Sequence, residues 1–178
     1  VCASAGNHGQ GVAFSAAALG IKATVVVPHT TPRQKRQRIL EIGHGFVDLV
    51  LHGASYDDAS EEAARLASDG KVLVPAFNDQ RTAAGQATLV VEAFEQLGFV
   101  PGVVVLPVGG GGLLAGASAW LRTHHPEVRI IGVEPEGAPC VAAAISAGRP
   151  VTLHDIDTFV DGAAVKRVGD FTFEVIKE

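Results

Sequence analysis

Short β-branched runs that alternate with longer helix-like stretches restrict the fold of this chain more than any other feature. Residues 25–27, Val47–Leu51, 72–74, 103–106 and Arg129–Val133 are apolar, too short for helices, and read as buried strands. Helix punctuation lies between them. Thr31 followed by Pro32 predicts an N-cap and a first helical residue, with Gly43 closing that helix. Ser55 is placed to cap Tyr56–Ser68, which stops at Gly70, and the alanine-rich stretch Gln80–Leu97 ends at Gly98. A further helix over 113–121 follows four glycines, and Pro126 stops the next turn. Repeated strand–helix alternation implies an α/β fold of parallel sheets with helices on both faces. The passage from strand to long helix at 75–80 divides the chain into two expected α/β pieces, 1–78 and 79–178.

Composition bounds the function. Of the 178 residues, 47% are hydrophobic and 19% charged, enough apolar content for a sizeable core. A net charge of −5 argues against a nucleic-acid partner, and the one dense basic cluster, Arg33, Lys35, Arg36 and Arg38, reads as a solvated helix face. No apolar run approaches the roughly 20 residues of a membrane helix and no signal-peptide pattern opens the chain, so no membrane partner is expected. Cys2 and Cys140 have neither disulfide nor metal spacing, which points to reduced thiols and a cytoplasmic location. The seven histidines show no ligand spacing either, so no metal is expected. With no methionine anywhere and valine at position 1, a segment is expected upstream.

Two loops carry chemistry. The first runs from Ser4 through Ala5, Gly6, Asn7, His8, Gly9 and Gln10 to Gly11 and leads into a helix. A glycine-punctuated turn at a helix start aims backbone N–H groups and the helix dipole at one point, which suits a carboxylate or phosphate. Ser4, Asn7 and His8 add polar side chains there. The second is Gly109, Gly110, Gly111, Gly112 and Leu113, between the 103–106 strand and the next helix. Four consecutive glycines are costly in chain entropy and make sense where the backbone approaches a phosphate closely. Read alone, this loop admits a second meaning. Gly110, Gly112 and Ala115 match a dinucleotide fingerprint, and Glu134 stands where a ribose-binding acid would lie, so an NAD-binding Rossmann-type oxidoreductase domain is the alternative.

Together these segments resemble the fold-type-II pyridoxal-phosphate (PLP) enzymes, and within them the threonine dehydratases (threonine ammonia-lyases) of the biosynthetic type. The resemblance covers nearly the whole chain. It rests on residues 4–11, on Leu51-His52-Gly53, on Ala84-Gly85-Gln86, on the tetraglycine loop and on residues 161–170. It implies parts of the two domains of that fold, a partial small domain over 1–78 and part of the large PLP-binding domain over 79–178.

By resemblance, Gly109, Gly110, Gly111, Gly112 and Leu113 would hold the PLP phosphate through backbone N–H groups. Asn7 would meet the 3′-hydroxyl of the ring, and Gly162 would lie beside the ring. Ser4, Gly6, Asn7 and His8 would surround the substrate carboxylate. The implied reaction is deamination of L-threonine, and of L-serine, to a 2-oxo acid and ammonia, with 2-oxobutanoate from threonine opening isoleucine biosynthesis. A homo-oligomer is expected of the full-length enzyme.

Three departures qualify the resemblance. The family's Schiff-base lysine sits upstream of the first loop, and none of Lys22, Lys35, Lys71, Lys166 and Lys177 has its surroundings. This chain is therefore expected to be inactive alone. Ala5 stands where serine racemases carry a second serine, which disfavours racemisation. Metal-binding members pair a glutamate like Glu134 with an aspartate six residues on, but here that residue is Cys140, a poor ligand for a hard cation. A third reading, a non-catalytic folding or assembly unit, is separated from the two enzymatic ones by whether PLP, NAD or neither binds.

Overall fold

A computed structural model describes all 178 residues and divides them into two compact units, Val1–Ala76 and Phe77–Glu178.

The first unit is a three-stranded parallel sheet in the order β1 (Cys2–Ala3), β2 (Ala23–Val27), β3 (Val47–Leu51). Cys2 lies opposite Val25, and Val25 opposite Leu49. Helices α1 (Asn7–Leu19) and α2 (Arg33–Gly43) make the crossovers, and α3 (Tyr56–Ser68) follows β3. Alternation along the strands assigns the faces. Cys2, Val25 and Val27 pack with Ala13 and Ala16 of α1 and Ile39 of α2, while Ala3 and Val26 pack with Ala59 and Ala63 of α3. Val25, Val26 and Val27 are all fully buried, so β2 is the central strand, and each side chain contributes roughly 1.5–3 kcal/mol. Helices therefore cover both faces, as the βα alternation implies.

The helix ends follow the punctuation closely. Ser55 Oγ accepts from Asp58 N–H, and the Asp58 carboxylate accepts in return from Ser55 N–H, a reciprocal capping box. At α2 the expectation shifts by one residue. Pro32, with ψ 142°, is itself the cap, no side chain caps the helix, and the first helical residue is Arg33. A second correction concerns 72–74, which is not a strand. Val1 N–H donates to Val72 O at 2.7 Å and Val74 N–H to Val1 O at 2.8 Å. Those two bonds flank a single residue, no second pair extends the ladder, and Val72 is 72% exposed.

In the second unit, β4 (Val103–Pro107) and β5 (Arg129–Val133) pair in parallel, with Val105 opposite Ile131. Helix α4 (Gln80–Leu97) is capped by Asp79, whose carboxylate accepts from Arg81 and Thr82 N–H, and it ends at the left-handed Gly98. Helix α5 (Gly112–His124) connects the strands, and α6 (Cys140–Ala147) and α7 (Asp170–Ile176) follow. One core joins Val90 of α4, Leu106 and Val108, Leu114 and Ala117 of α5, Cys140 and Val141 of α6, and Phe173 of α7. The opposite face of the two strands is open, with Val103, Val105 and Val133 about half exposed, because the helices of this unit stack on one side. At the end of α5, Trp120 stacks on His124 at 4.7 Å and meets Phe94 edge-on.

Candidate functional site

Helix α1 begins at Asn7, five residues before the apolar stretch that starts at Val12. Asn7, His8 and Gly9 thus form its first turn rather than a preceding loop. Gly6 is the N-cap, no side-chain cap is present, and no acidic residue stands in the first turn. The first intrahelical bond runs from Gln10 N–H to Gly6 O, so helix geometry leaves the N–H groups of Asn7, His8 and Gly9 without an intrahelical acceptor. Three donors and the positive end of the helix dipole then share one small region.

The side chains around that region are held in distinct ways. Ser4 Oγ accepts from Gly6 N–H at 3.1 Å, which leaves its own proton to donate elsewhere. Asn7 is exposed, while Gly9 is buried against the end of β1, where any β-carbon would overlap the Ser4 carbonyl oxygen. His8 Nε2 lies 2.9 Å from Val74 O. Burial pushes its pKa below the ordinary value, outweighing that bond, so the ring is neutral. A carbonyl oxygen only accepts, so Nε2 carries the proton and Nδ1 is a bare acceptor. The His8 ring N–H is thus engaged by Val74 O, and the N–H of this residue that has no intrahelical acceptor is that of its backbone.

The tetraglycine loop ends in the same motif. Gly111, at φ 92°, is the N-cap of α5, a conformation that favours glycine, and no side chain caps the helix. Gly112, Leu113 and Leu114 supply the orphan N–H groups, since Ala115 N–H makes the first bond, to Gly111 O. The carbonyls of the loop are held by the protein: Cys140 Sγ donates to Gly109 O at 3.4 Å, and Thr172 Oγ1 to Gly110 O at 2.8 Å. Burial first, and Glu134 second, push the Cys140 thiol up to about 12, so it remains a protonated donor.

The glycine run has a reason that entropy arguments miss. A β-carbon at Gly109 would crowd Ala163, at Gly110 or Gly112 it would meet Phe77, and at Gly111 it would lie 2.9 Å from Thr172 Oγ1. The protein's own packing therefore accounts for these four glycines, and the case for a ligand rests on the orphan donors instead. Gly6 and Gly162 differ, because a β-carbon at either meets no protein atom within 4 Å. The residue after Gly162 lies against the loop, with Ala163 Cα only 3.2 Å from the β-carbon position of Gly109.

Glu134 is engaged in the structure. Its carboxylate accepts from Val141 N–H at 2.7 Å and Ala142 N–H at 2.9 Å, capping α6 from six residues before the helix begins. The acid that a dinucleotide reading requires is thus spent on a helix. No group of three or more acidic, histidine or cysteine side chains is arranged to hold a metal ion. Ser4, Gly6, Asn7 and His8 belong to the first unit, and Gly109, Gly110, Gly111, Gly112, Leu113 and Gly162 to the second. Sequence reasoning missed Thr172 and Asn78, whose Oδ1 accepts from Phe171 N–H; neither lies in a motif that marks it.

An α/β chain in which an uncapped helix start follows a glycine loop whose carbonyls are tied back has the features of an enzyme that binds a phosphorylated cofactor. Comparison specifies which kind. The whole chain, residues 1–178, matches the family described as pyridoxal-phosphate-dependent enzyme, and the chain belongs to that family. It is 48% identical over 177 residues to the biosynthetic L-threonine dehydratase IlvA of Mycobacterium tuberculosis, covering 99% of this chain and 41% of that protein. Among solved structures, the processed form of threonine deaminase isoform 2 from Solanum lycopersicum is 40% identical with a TM-score of 0.91, over 100% of this chain and 51% of that one. Maize serine racemase is 30% identical with a TM-score of 0.90, over 99% of this chain and 53% of that one. The chain thus spans about two-fifths of the length of the curated relatives it matches.

The donor set fits the family's cofactor. A phosphate dianion calls for several N–H groups at a helix start with no competing carboxylate, and α5 offers Gly112, Leu113 and Leu114 with no acidic residue in its first turn.

Proposed function

We propose that this chain is part of the catalytic region of a PLP-dependent ammonia-lyase that converts L-threonine to 2-oxobutanoate and ammonia, and acts on L-serine as well. The observation that carries the reading is the uncapped N-terminus of α5 behind its glycine loop, in a chain 48% identical to a biosynthetic threonine dehydratase. When bound, the cofactor would supply an electron sink for removal of the α-proton.

The residues of this chain then bind and orient. The N–H groups of the loop Gly109, Gly110, Gly111, Gly112 and Leu113 hold the phosphate. The Asn7 amide, exposed at the start of α1, donates to the 3′-oxygen of the ring. Ser4 Oγ–H and the N–H groups around Gly6, Asn7 and His8 receive the substrate carboxylate, the group that the dipole of α1 favours. Gly162 leaves room beside the ring, which agrees with the absence of any protein atom near its β-carbon position. In this assignment the first unit belongs to the small domain and the second to the large, cofactor-binding domain. The parent protein is then a cytoplasmic homo-oligomer opening isoleucine biosynthesis, and no helix is long and apolar enough to cross a membrane.

Elimination is favoured over racemisation because residue 5 is alanine, whose methyl group packs on the core of the first unit and exchanges no proton. The test is turnover by the intact protein that carries this chain, loaded with PLP. Formation of 2-oxobutanoate from L-threonine supports the reading. Accumulation of D-amino acid without 2-oxo acid, or binding of NAD in place of PLP, overturns it.

A further inference from the structure

Peptide planarity gives the tetraglycine loop a property its sequence does not display. The C=O of one residue and the N–H of the next point in opposite directions across a trans peptide plane. Whatever holds the carbonyl of Gly109 therefore aims the N–H of Gly110, and whatever holds the carbonyl of Gly110 aims the N–H of Gly111. Both carbonyls are held. Cys140 Sγ, at the first turn of α6, donates to Gly109 O at 3.4 Å with the Glu134 carboxylate as a second acceptor for its one proton, and the Thr172 hydroxyl, in the first turn of α7, donates to Gly110 O at 2.8 Å. Gly169 N–H adds a longer bond to Gly110 O at 3.3 Å. Thr172 and Cys140 are both fully buried.

We propose that Thr172 and Cys140 are positioning residues that turn the N–H groups of Gly110 and Gly111 toward the cofactor phosphate by pinning the carbonyls behind them. The inference rests on the reading of the α5 N-terminus as the phosphate site. Glycine is the residue least able to hold such an orientation unaided, since its backbone has the widest conformational freedom. A loop of four glycines needs external restraint to present its donors as a set, and α6 and α7 each provide one bond. Thr172 is well suited because it faces two carbonyls, Gly110 O and, at 3.1 Å, Gly169 O, with one proton that favours the shorter contact.

The test uses the intact protein that carries this chain, with PLP affinity and the phosphorus-31 resonance of bound PLP as readouts. T172V keeps the volume and removes the hydroxyl. It is expected to weaken PLP binding roughly three- to tenfold, the range for one lost buried hydrogen bond, and to move the phosphorus resonance. T172S restores the donor and is expected to recover both. C140A is expected to give a smaller loss, roughly two- to threefold, because a thiol is a weak donor.

A folded T172V with wild-type affinity and resonance overturns the proposal, as does a T172S as impaired as T172V, which would make the role one of packing. Should T172V not fold, C140A decides by the same readouts, and wild-type values in it overturn the proposal. The underlying reading is tested separately in the wild-type protein labelled with nitrogen-15 glycine. If PLP shifts none of the amides of Gly109, Gly110, Gly111 and Gly112, the phosphate site itself is misassigned.

Discussion

Asn7→Asp separates the structural and functional roles of the first helix turn, because the two act in opposite directions. Asn7 is the first helical residue of α1, exposed, in a first turn that lacks acidic side chains. A carboxylate there faces the orphan N–H groups of Asn7, His8 and Gly9 and the positive end of the helix dipole. Such a charge typically stabilises by about 0.3–1 kcal/mol at an exposed position. For a chain of this size that is a rise of about 1–4 °C in the Tm of the cofactor-free protein, and proportionately less in a longer protein that carries it. The new carboxyl has its pKa depressed in the folded state, so the gain is present above about pH 4 and lost as the pH falls through the folded value. Binding should move the other way. The same carboxylate would occupy the region assigned to the substrate carboxylate and would remove the amide donor from the ring 3′-oxygen. Repulsion between two carboxylates about 5 Å apart amounts to a few kcal/mol before solvent screening reduces it. A rise in KM for L-threonine of roughly tenfold or more is expected, together with a shifted cofactor absorbance band. Thermal melts, a visible spectrum and threonine kinetics on the intact protein provide the check. A higher Tm with unchanged KM and spectrum would refute the functional assignment and leave Asn7 an ordinary helix residue.

Gly162→Ala meets no protein atom within 4 Å, so the cofactor-free protein should gain about 0.4–1 kcal/mol from reduced freedom of the unfolded chain, while PLP titration should show weaker binding; equal affinity would remove Gly162 from the site. His8 has a pKa lowered by burial, so below pH about 6.5 the unfolded chain takes up the proton first and stability falls with pH. In His8→Gln that part of the slope should vanish from denaturant melts between about pH 5.5 and 7.5 (a range set by about one unit either side of the unperturbed value), and an unaltered slope would show that another group titrates. Glu134→Gln weakens the cap on α6 and should cost about 0.5–2 kcal/mol by urea unfolding, with no effect on NAD because none is expected to bind; a neutral change would mean that the two N–H groups find water equally well.

The sequence discloses those parts of this molecule in which local chemistry and tertiary structure agree. Three buried valines between two helix-forming stretches leave residues 25–27 little choice but a central strand. Ser55 and Gly98 mark helix ends by caps that act within a few residues. The α5 N-terminus was legible for a similar reason, since its glycines are adjacent. What stayed hidden depends on partners distant in sequence. Residues 72–74 look like a strand, yet a strand requires a neighbour with a continuing ladder, and pairing stops after Val1. Helix α6 starts behind Pro139 with no local side-chain cap, because its cap, Glu134, comes from the end of the preceding strand. Thr172 lies 62 residues from the glycine whose carbonyl it holds, and no spacing rule connects them.

The division of the chain into two units has an optical consequence. The sequence contains one tyrosine and one tryptophan, Tyr56 and Trp120, and they fall on opposite sides of the boundary at Ala76. Tyr56 opens α3 in the first unit, and Trp120 lies among Phe94, His124 and His125 in the second. Each unit therefore carries its own chromophore. Selective excitation of Trp120 follows the loosening of the second unit, and the tyrosine band of the derivative ultraviolet spectrum follows the first. Coincident transitions on heating would mean that the two melt as one cooperative block, and separated ones would give each unit a stability of its own.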